Sequence, residues 1–462
     1  MRLTSLVSLL RRVTSGSVRS SVRAALLACG IVLASAPASA APQDPEDILG
    51  ELIVEARGAS QGPIRLPKIA IDFDDDSREA KTAGEVLRRD LALSAEFDVV
   101  DAGLPARSNM AAWRERGAQA VVRVRSERAG LGTVRLIATL ELPAPSPAVE
   151  ITLQAPQSAL RAASHQLADE LIGAYTGTRS SFFAQLAFVR NRQGSRAVFV
   201  IDPDGHNLRQ VTPDDAVALS PTFGPDHALY YAASIGNGSY RLHRAGAEPP
   251  LHLEPPGSVY GVAFTRDYGK AAVAIARGSN IVIHVGDAAF TDLRPVTDVD
   301  LALHPVFSPS GKLAYAGTKK HSQRIYVDGR PVSPAGLPAS SPAFCDHPRG
   351  VRLAYAVGVR QRSDLVVTDE RGRDAIRLTE GAGRNSSPAC SPDGRLIAFF
   401  STRRTGEGPG LYVVRTDGRR PPMRVASGLG DSLTWSRLPR PYPVIVQTRA
   451  PASEPPTSEP TP

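Results

Sequence analysis

The sequence predicts a small α/β domain followed by an all-β six-bladed β-propeller of WD40-like repeats, and three observations carry that expectation. One phrase recurs five times beyond residue 181, with a partial sixth copy at its end. The copies are spaced like WD40-type blades and are made of strand-length pieces, which excludes a helical solenoid. Ahead of them, strand-like and helix-like runs alternate over residues 63–178. Composition agrees. A chain of 462 residues exceeds one ordinary core, and 39 Gly and 39 Pro beside only 6% aromatic residues is the profile of a turn-rich β protein.

Residues 1–40 have the form of a secretory signal: arginines without a single acid, an apolar run over residues 24–36, and Ala38-Ser39-Ala40 ahead of Ala41. The run is too short to span a bilayer, and no later segment is apolar enough to do so. Cleavage after Ala40, export to the periplasm and a mature chain without a transmembrane segment are expected. The same segment accounts for much of the formal charge of +8. Outside it 49 basic residues face 46 acidic ones, interspersed instead of forming a stripe, so a nucleic-acid partner is not expected.

Residues 41–62 read as a flexible arm with one apolar patch, Leu52-Ile53-Val54. In the α/β domain, residues 64–73 read as a buried strand, 78–92 as an amphipathic helix, 97–100 as a strand and 109–116 as a short helix. Strands are expected at 120–126, 133–142 and 149–153. A helix over 158–175 would be capped by Ser158.

The repeats begin SPTFGPDHALYY at Ser220, YGVAFTRDYGKAAVA at Tyr260, HPVFSPSGKLAYA at His304, SPAFCDHPRGVRLAYA at Ser341 and SPACSPDGRLIAFF at Ser387, with LTWS at Leu433. The anchors Phe223, Phe264, Phe307, Phe344, Cys390 and Trp435 are 41, 43, 37, 46 and 45 residues apart. Each copy supplies an innermost strand, a Pro-Asp-Gly-like turn and a second strand. The segment at 186–201 lacks an innermost strand, and the copy at 433–436 is an innermost strand without its outer partners. Together they complete a sixth blade over residues 182–440 and leave no open edge. Residues 441–462, ending RAPASEPPTSEPTP, read as a disordered Pro-rich tail.

Cys345 and Cys390 are the cysteines left after signal removal. An oxidising compartment permits a bridge. Against it, Cys390 occupies the slot of Phe344, while Cys345 is one residue further on and points to the opposite strand face.

Repeats of the form SP-x-F-SPDG-x-LAY behind such a domain resemble the TolB family of the Tol-Pal envelope system, over about residues 51–438. The first domain adds Gly84 to Leu91 (GEVLRRDL), Phe97, Asp101, Trp113, Gly117 to Val122 (GAQAVV), and Ala168 to Leu171 (ADEL) leading to Thr176-Gly177. The second copy departs from the pattern at Thr265-Arg266-Asp267-Tyr268-Gly269, the fourth at Asp346-His347-Pro348, and the Pro-rich tail is extra.

The resemblance implies a non-enzymatic, monomeric periplasmic adaptor in protein import, outer-membrane integrity and constriction during cell division. It would bind a peptidoglycan-associated lipoprotein through one propeller face and a TolA-type inner-membrane protein through its N-terminal arm. The arm segment here is Glu51, Leu52, Ile53, Val54 and Glu55, which is suited to adding as a strand to a partner's sheet. Residues just before the inner strands, Ser258, Tyr260, Gly261, Asp300, Leu303, Asn385 and Ser386, would line one mouth of the channel.

Two other readings share these features: a periplasmic propeller receptor for another protein or for cell-wall glycan, and a divergent hydrolase or lyase. The sequence holds no G-x-S-x-G, H-E-x-x-H, phosphate loop or dinucleotide fingerprint. The histidines at 227, 243, 252, 284, 304, 321 and 347 fall at different points of the repeat and do not form a metal ring. Asp72, Asp74, Asp75 and Asp76 lack the glycine and terminal Glu of a calcium loop. No cofactor, metal or catalytic residue is expected.

Overall fold

The computed structural model describes residues 44–54, 65–101, 107–142, 148–192, 195–236, 238–437 and 445–449. The expected signal at 1–40 and the tail beyond 449 lie outside them. Alternation in the first domain produces α1 (Pro45–Val54), β1 (Lys68–Phe73), α2 (Arg78–Leu93), β2 (Asp98–Val100), α3 (Met110–Glu115), β3 (Ala120–Gly130), β4 (Thr133–Glu141), β5 (Val149–Pro156) and α4 (Leu160–Thr176). β1 pairs in parallel with β2 and β3, and β3, β4 and β5 follow as an antiparallel meander. Successive residues of a strand face opposite ways. Ile69 and Ile71 accordingly bury against the side carrying α2 and α4, while Ala70 joins Trp113 of α3 on the other.

Helix ends follow local chemistry. Ser77 accepts a hydrogen bond from Ala80 N at 3.0 Å and caps α2, and Asn109 does the same for α3 from Ala112 N at 2.9 Å. Ser158 does not cap α4. A 3-10 turn, Gln157–Ala159, precedes that helix, which closes instead on left-handed Gly177.

Two segments differ from expectation. Within the arm read as flexible and strand-prone, Pro45–Val54 is a helix. Asp44 receives Glu46 N on its side chain and Asp47 N and Ile48 N on its carbonyl, Pro45 opens the first turn, and acids follow where the helix dipole favours them. Within the tail read as disordered, Ile445–Arg449 is a strand antiparallel to β5. Its β-prone residues extend the first sheet to six strands by covering an edge.

The repeats form the strands Val217–Phe223, Val259–Phe264, Leu301–Phe307, Ala339–Cys345, Asn385–Cys390 and Asp431–Trp435. Each neighbours the next, and the last neighbours the first. Antiparallel partners extend outward from each, although single parallel bridges, Arg196 to Val217 and Ile281 to Leu301, merge two pairs of groups into sheets of seven and eight strands. Asp431–Trp435 pairs with Leu186–Arg192, setting Trp435 opposite Leu186 and Thr434 opposite Ala187.

The turn after the repeat strand survives the departure in the second copy. Gly311 and Gly394 take left-handed φ values of 85° and 69° and donate to the carbonyls of Ser308 and Ser391. In the second copy Tyr268 takes the slot at φ 56° and donates to Thr265 O, and Thr265 Oγ1 accepts from Lys270 N. In these three copies the hydroxyl at the turn's start is kept, with Thr265, Ser308 and Ser391 accepting from Lys270 N, Lys312 N and Leu396 N, while the glycine is not.

Cys345 and Cys390 form a disulfide, with Cα atoms 5.2 Å apart. They do point to opposite faces of their strands. The argument against a bridge fails because neighbouring sheets stack face to face: Cys345, Ala354 and Leu365 of one sheet pack against Ile397, Phe399 and Tyr412 of the next. A side chain pointing forward from one sheet therefore meets one pointing back from its neighbour.

The α/β domain is fixed to the repeats by a buried polar cluster. His165 of α4 and Asp90 of α2 are both fully buried, with His165 Nδ1 2.6 Å from Asp90 Oδ2. Its Nε2 lies 3.5 Å from Asp202 and 3.9 Å from Asp204, in the Asp-Pro-Asp-Gly turn of the first repeat segment. Arg161 pairs with Asp204, and Arg89 donates to the carbonyls of Arg424 and Val425 at 2.7 and 3.1 Å. Around this centre Arg415 and Arg395 reach Glu96 at 2.9 and 3.3 Å, and Arg420 reaches Asp98 at 2.9 Å.

Burial alone would discharge His165, but Asp90, Asp202 and Asp204 outweigh it and push its pKa up to about 10. That value lies above the ~6.5 of an unfolded histidine. The stability gained is therefore complete below pH ~6.5 and is lost as pH rises toward about 10. Removing the cation as His165→Ala leaves buried carboxylates uncompensated and should cost about 3–5 kcal/mol in denaturant unfolding, flattening the slope between those pH values. Replacing Cys345 and Cys390 together by Ser should cost about 2–4 kcal/mol. An unchanged unfolding midpoint would deny the bridge any stabilising role.

Candidate functional site: a tunnel between the repeat strands

Where the six repeat strands converge, each turns its equivalent residue inward: Ser220, Gly261, His304, Ser341, Ser387 and Ser432 line one narrow cavity. Five of these, all but Gly261, have φ between 46° and 53°, a left-handed conformation that costs a non-glycine residue roughly 1 kcal/mol. The strand register shifts at each of these sites, or at the residue before it in the case of Gly261. A bulge of this kind re-aims a side chain, here toward the centre. His304 Nδ1 has no hydrogen-bond partner among the described residues, and burial lowers its pKa, keeping the ring neutral. The neck is thus uncharged and hydroxyl-rich.

Beyond the neck the cavity widens at the end where the strands finish. The two spaces share Val306, Pro342, Pro388, Leu433 and Thr434. This chamber, about 290 Å³, is walled by Phe307, Phe344, Tyr268 and Trp435, with Arg266, Arg437 and Asp346 at its rim.

The residues expected at a channel mouth differ in their surroundings. Gly261 lies in the neck. Tyr260 is half-buried, its ring 5.7 Å from that of Tyr240. Asp300 is exposed and accepts from Lys320 N at 3.1 Å, while Ser258, Leu303 and Ser386 are half-buried. Asn385 is fully buried, its amide donating to Ser363 O at 2.9 Å, so it ties neighbouring sheets together and presents nothing to a partner.

The arm residues Glu51 to Val54 fall at the end of α1, where only the backbone is described, and Glu55 lies outside the described residues. The start of α1 sits on the repeats. Leu49 is fully buried among Leu337, Val357 and Val359. Asp44 pairs with Arg360, and Glu46 bridges Arg362 and Arg377 at 2.9 and 3.3 Å. These arginines escaped sequence reasoning, although three acids within residues 44–47 signal a basic seat.

Among the described residues, one group of His and acid side chains has ligand atoms close enough for a metal: Asp90, His165 and Asp204. Arg161 already occupies Asp204 and Asp90 already occupies His165, so these ligand atoms are engaged within an ion-pair cluster of the chain's own side chains. Asp72 and Asp75 serve structure. Asp72 accepts from Trp113 Nε1 and Arg123, and Asp75 accepts from the backbone of Ser77 and Ser126.

No family model matches the chain. Curated relatives do. The Tol-Pal system protein TolB of Anaeromyxobacter dehalogenans is 27% identical over 292 residues, which is 60% of this chain and 65% of that protein. The TolB of Dechloromonas aromatica is 30% identical over 185 residues, 38% of this chain and 42% of that one. The crystal structure of TolB from Acinetobacter baumannii matches with a TM-score of 0.66 at 19% identity, covering 81% of this chain and 98% of that one. The match thus spans just under two thirds of the first relative's length. In sequence the chain is similar to curated Tol-Pal system TolB proteins, and in fold it is similar to a solved TolB structure.

Proposed function

We propose that the chain is an exported, non-enzymatic adaptor of the Tol-Pal envelope system, a six-bladed β-propeller carried on an α/β domain. In this reading it links a peptidoglycan-associated lipoprotein to a TolA-type inner-membrane protein and supports outer-membrane integrity and constriction at division. The observation that carries it is the sequence match to curated proteins named as Tol-Pal TolB components. Several features support it. The six repeat strands neighbour one another in a closed order, residues 1–40 have signal form, and no described helix is long and apolar enough to cross a membrane. The half-buried residues ahead of the repeat strands, Ser258, Tyr260, Leu303 and Ser386, with exposed Asp300, form the lipoprotein face. Glu51 to Glu55 form the segment offered to the TolA-type partner.

The immobilised chain is expected to retain a peptidoglycan-associated lipoprotein from detergent-solubilised envelopes; failure to retain it sinks the adaptor reading. Deleting residues 51–55 should abolish TolA-type binding and leave lipoprotein binding intact. If both survive, the arm assignment is wrong. Leu49→Ala empties the apolar seat of α1 and should raise amide exchange across residues 45–54 by at least ~30-fold. Unchanged protection would mean that the ion pairs alone hold the helix.

A further inference from the structure

The chamber at the wide end of the tunnel contains two donors that no described residue uses. Trp435 is 6% exposed, and its indole Nε1 has no hydrogen-bond partner among the described residues. Leaving such a donor buried and unmade costs about 1–3 kcal/mol, so its persistence in a cavity wall points to a partner from outside. Arg437, two residues further along the chain, lines the same chamber and has no carboxylate partner among the described residues. Its charge is not balanced by the neighbouring pair, because Asp346 is engaged by Arg266. The remaining walls, Phe307, Phe344 and Tyr268, are aromatic.

We propose that this chamber is a binding site for a small anionic ligand: a carboxylate or phosphate received by Arg437 and Trp435 Nε1, carried on an apolar or aromatic body that fills the space between the rings. The pairing follows ordinary recognition chemistry. A guanidinium presents a planar fork of donors to a carboxylate or phosphate, and an indole N–H, buried in the wall, adds a third. Aromatic walls with a few convergent donors are the usual make-up of a small-molecule site. Arg437 is exposed at the rim, where its guanidinium can turn onto an anion entering the chamber. The site lies where the repeat strands finish, on the side of the turns that meet the α/β domain, and is distinct from the residues ahead of those strands.

The full-length mature chain would be titrated with N-acetyl-phenylalanine and with phenyl phosphate by calorimetry, using N-acetyl-phenylalanine amide as the neutral control. Binding of either anion with no binding of the amide is expected, and which anion binds identifies the carboxylate or the phosphate as the physiological group. Arg437→Gln should weaken that binding at least 10-fold, and Trp435→Phe, which keeps the packing but removes the N–H, by about 3- to 10-fold. Arg209→Gln, on an exposed strand away from the chamber, should leave it unchanged. Binding by neither anion, equal binding of amide and acid, or an unaltered affinity in Arg437→Gln of wild-type thermal midpoint would each overturn the proposal.

Discussion

The antiparallel pairing of Asp431–Trp435 with Leu186–Arg192 holds the repeat array together. Strands about 240 residues apart in the chain share one ladder, so the first and last repeat strands become neighbours. The tunnel depends on this closure. Ser432 and Trp435 belong to the closing strand and supply part of both neck and chamber. The core depends on it as well. Leu186, Phe188, Phe400 and Trp435 belong to the same apolar cluster as Leu87 and Leu167 of the α/β domain, together with Phe182 from the connection.

Electrostatics then fix what apolar burial leaves free. Apolar contact is non-directional, whereas an imidazolium with carboxylates on both nitrogens accepts one arrangement. His165 faces Asp90 from its own domain and Asp202 and Asp204 from the repeats, so the relative placement of the two parts is set by charge. The same division of labour recurs at α1, where Leu49 supplies burial and Asp44 and Glu46 choose the arginines that orient the helix. Asp169 acts similarly at the connection, accepting from Phe182 N and Phe183 N at 2.8 and 2.9 Å.

What could be read from the sequence was whatever depends on spacing. The anchor residues from Phe223 to Trp435 gave the repeat strands, and the apolar pattern of residues 64–175 gave the α/β elements within a few positions. What could not be read depends on how distant pieces face one another. The Cys345–Cys390 bridge needs sheets stacked face to face, which no single strand reveals. Ile445–Arg449 looks like loop until β5 offers an edge. His165 was one histidine among nine until α2, α4 and an Asp-Gly turn brought Asp90, Asp202 and Asp204 around it. The chamber draws on residues from several repeats, and Trp435, read as a repeat anchor, also carries a donor without a partner among the described residues.

The strand Ile445–Arg449 has a consequence for the order in which the protein is made. The α/β domain is first to be synthesised, yet the outermost strand of its sheet arrives almost 290 residues after β5. Until that strand arrives, β5 presents unpaired backbone groups to any extended segment nearby, its own repeats included. The domain that starts the chain is therefore among the last parts to be finished, and its completion reports that everything between has been delivered.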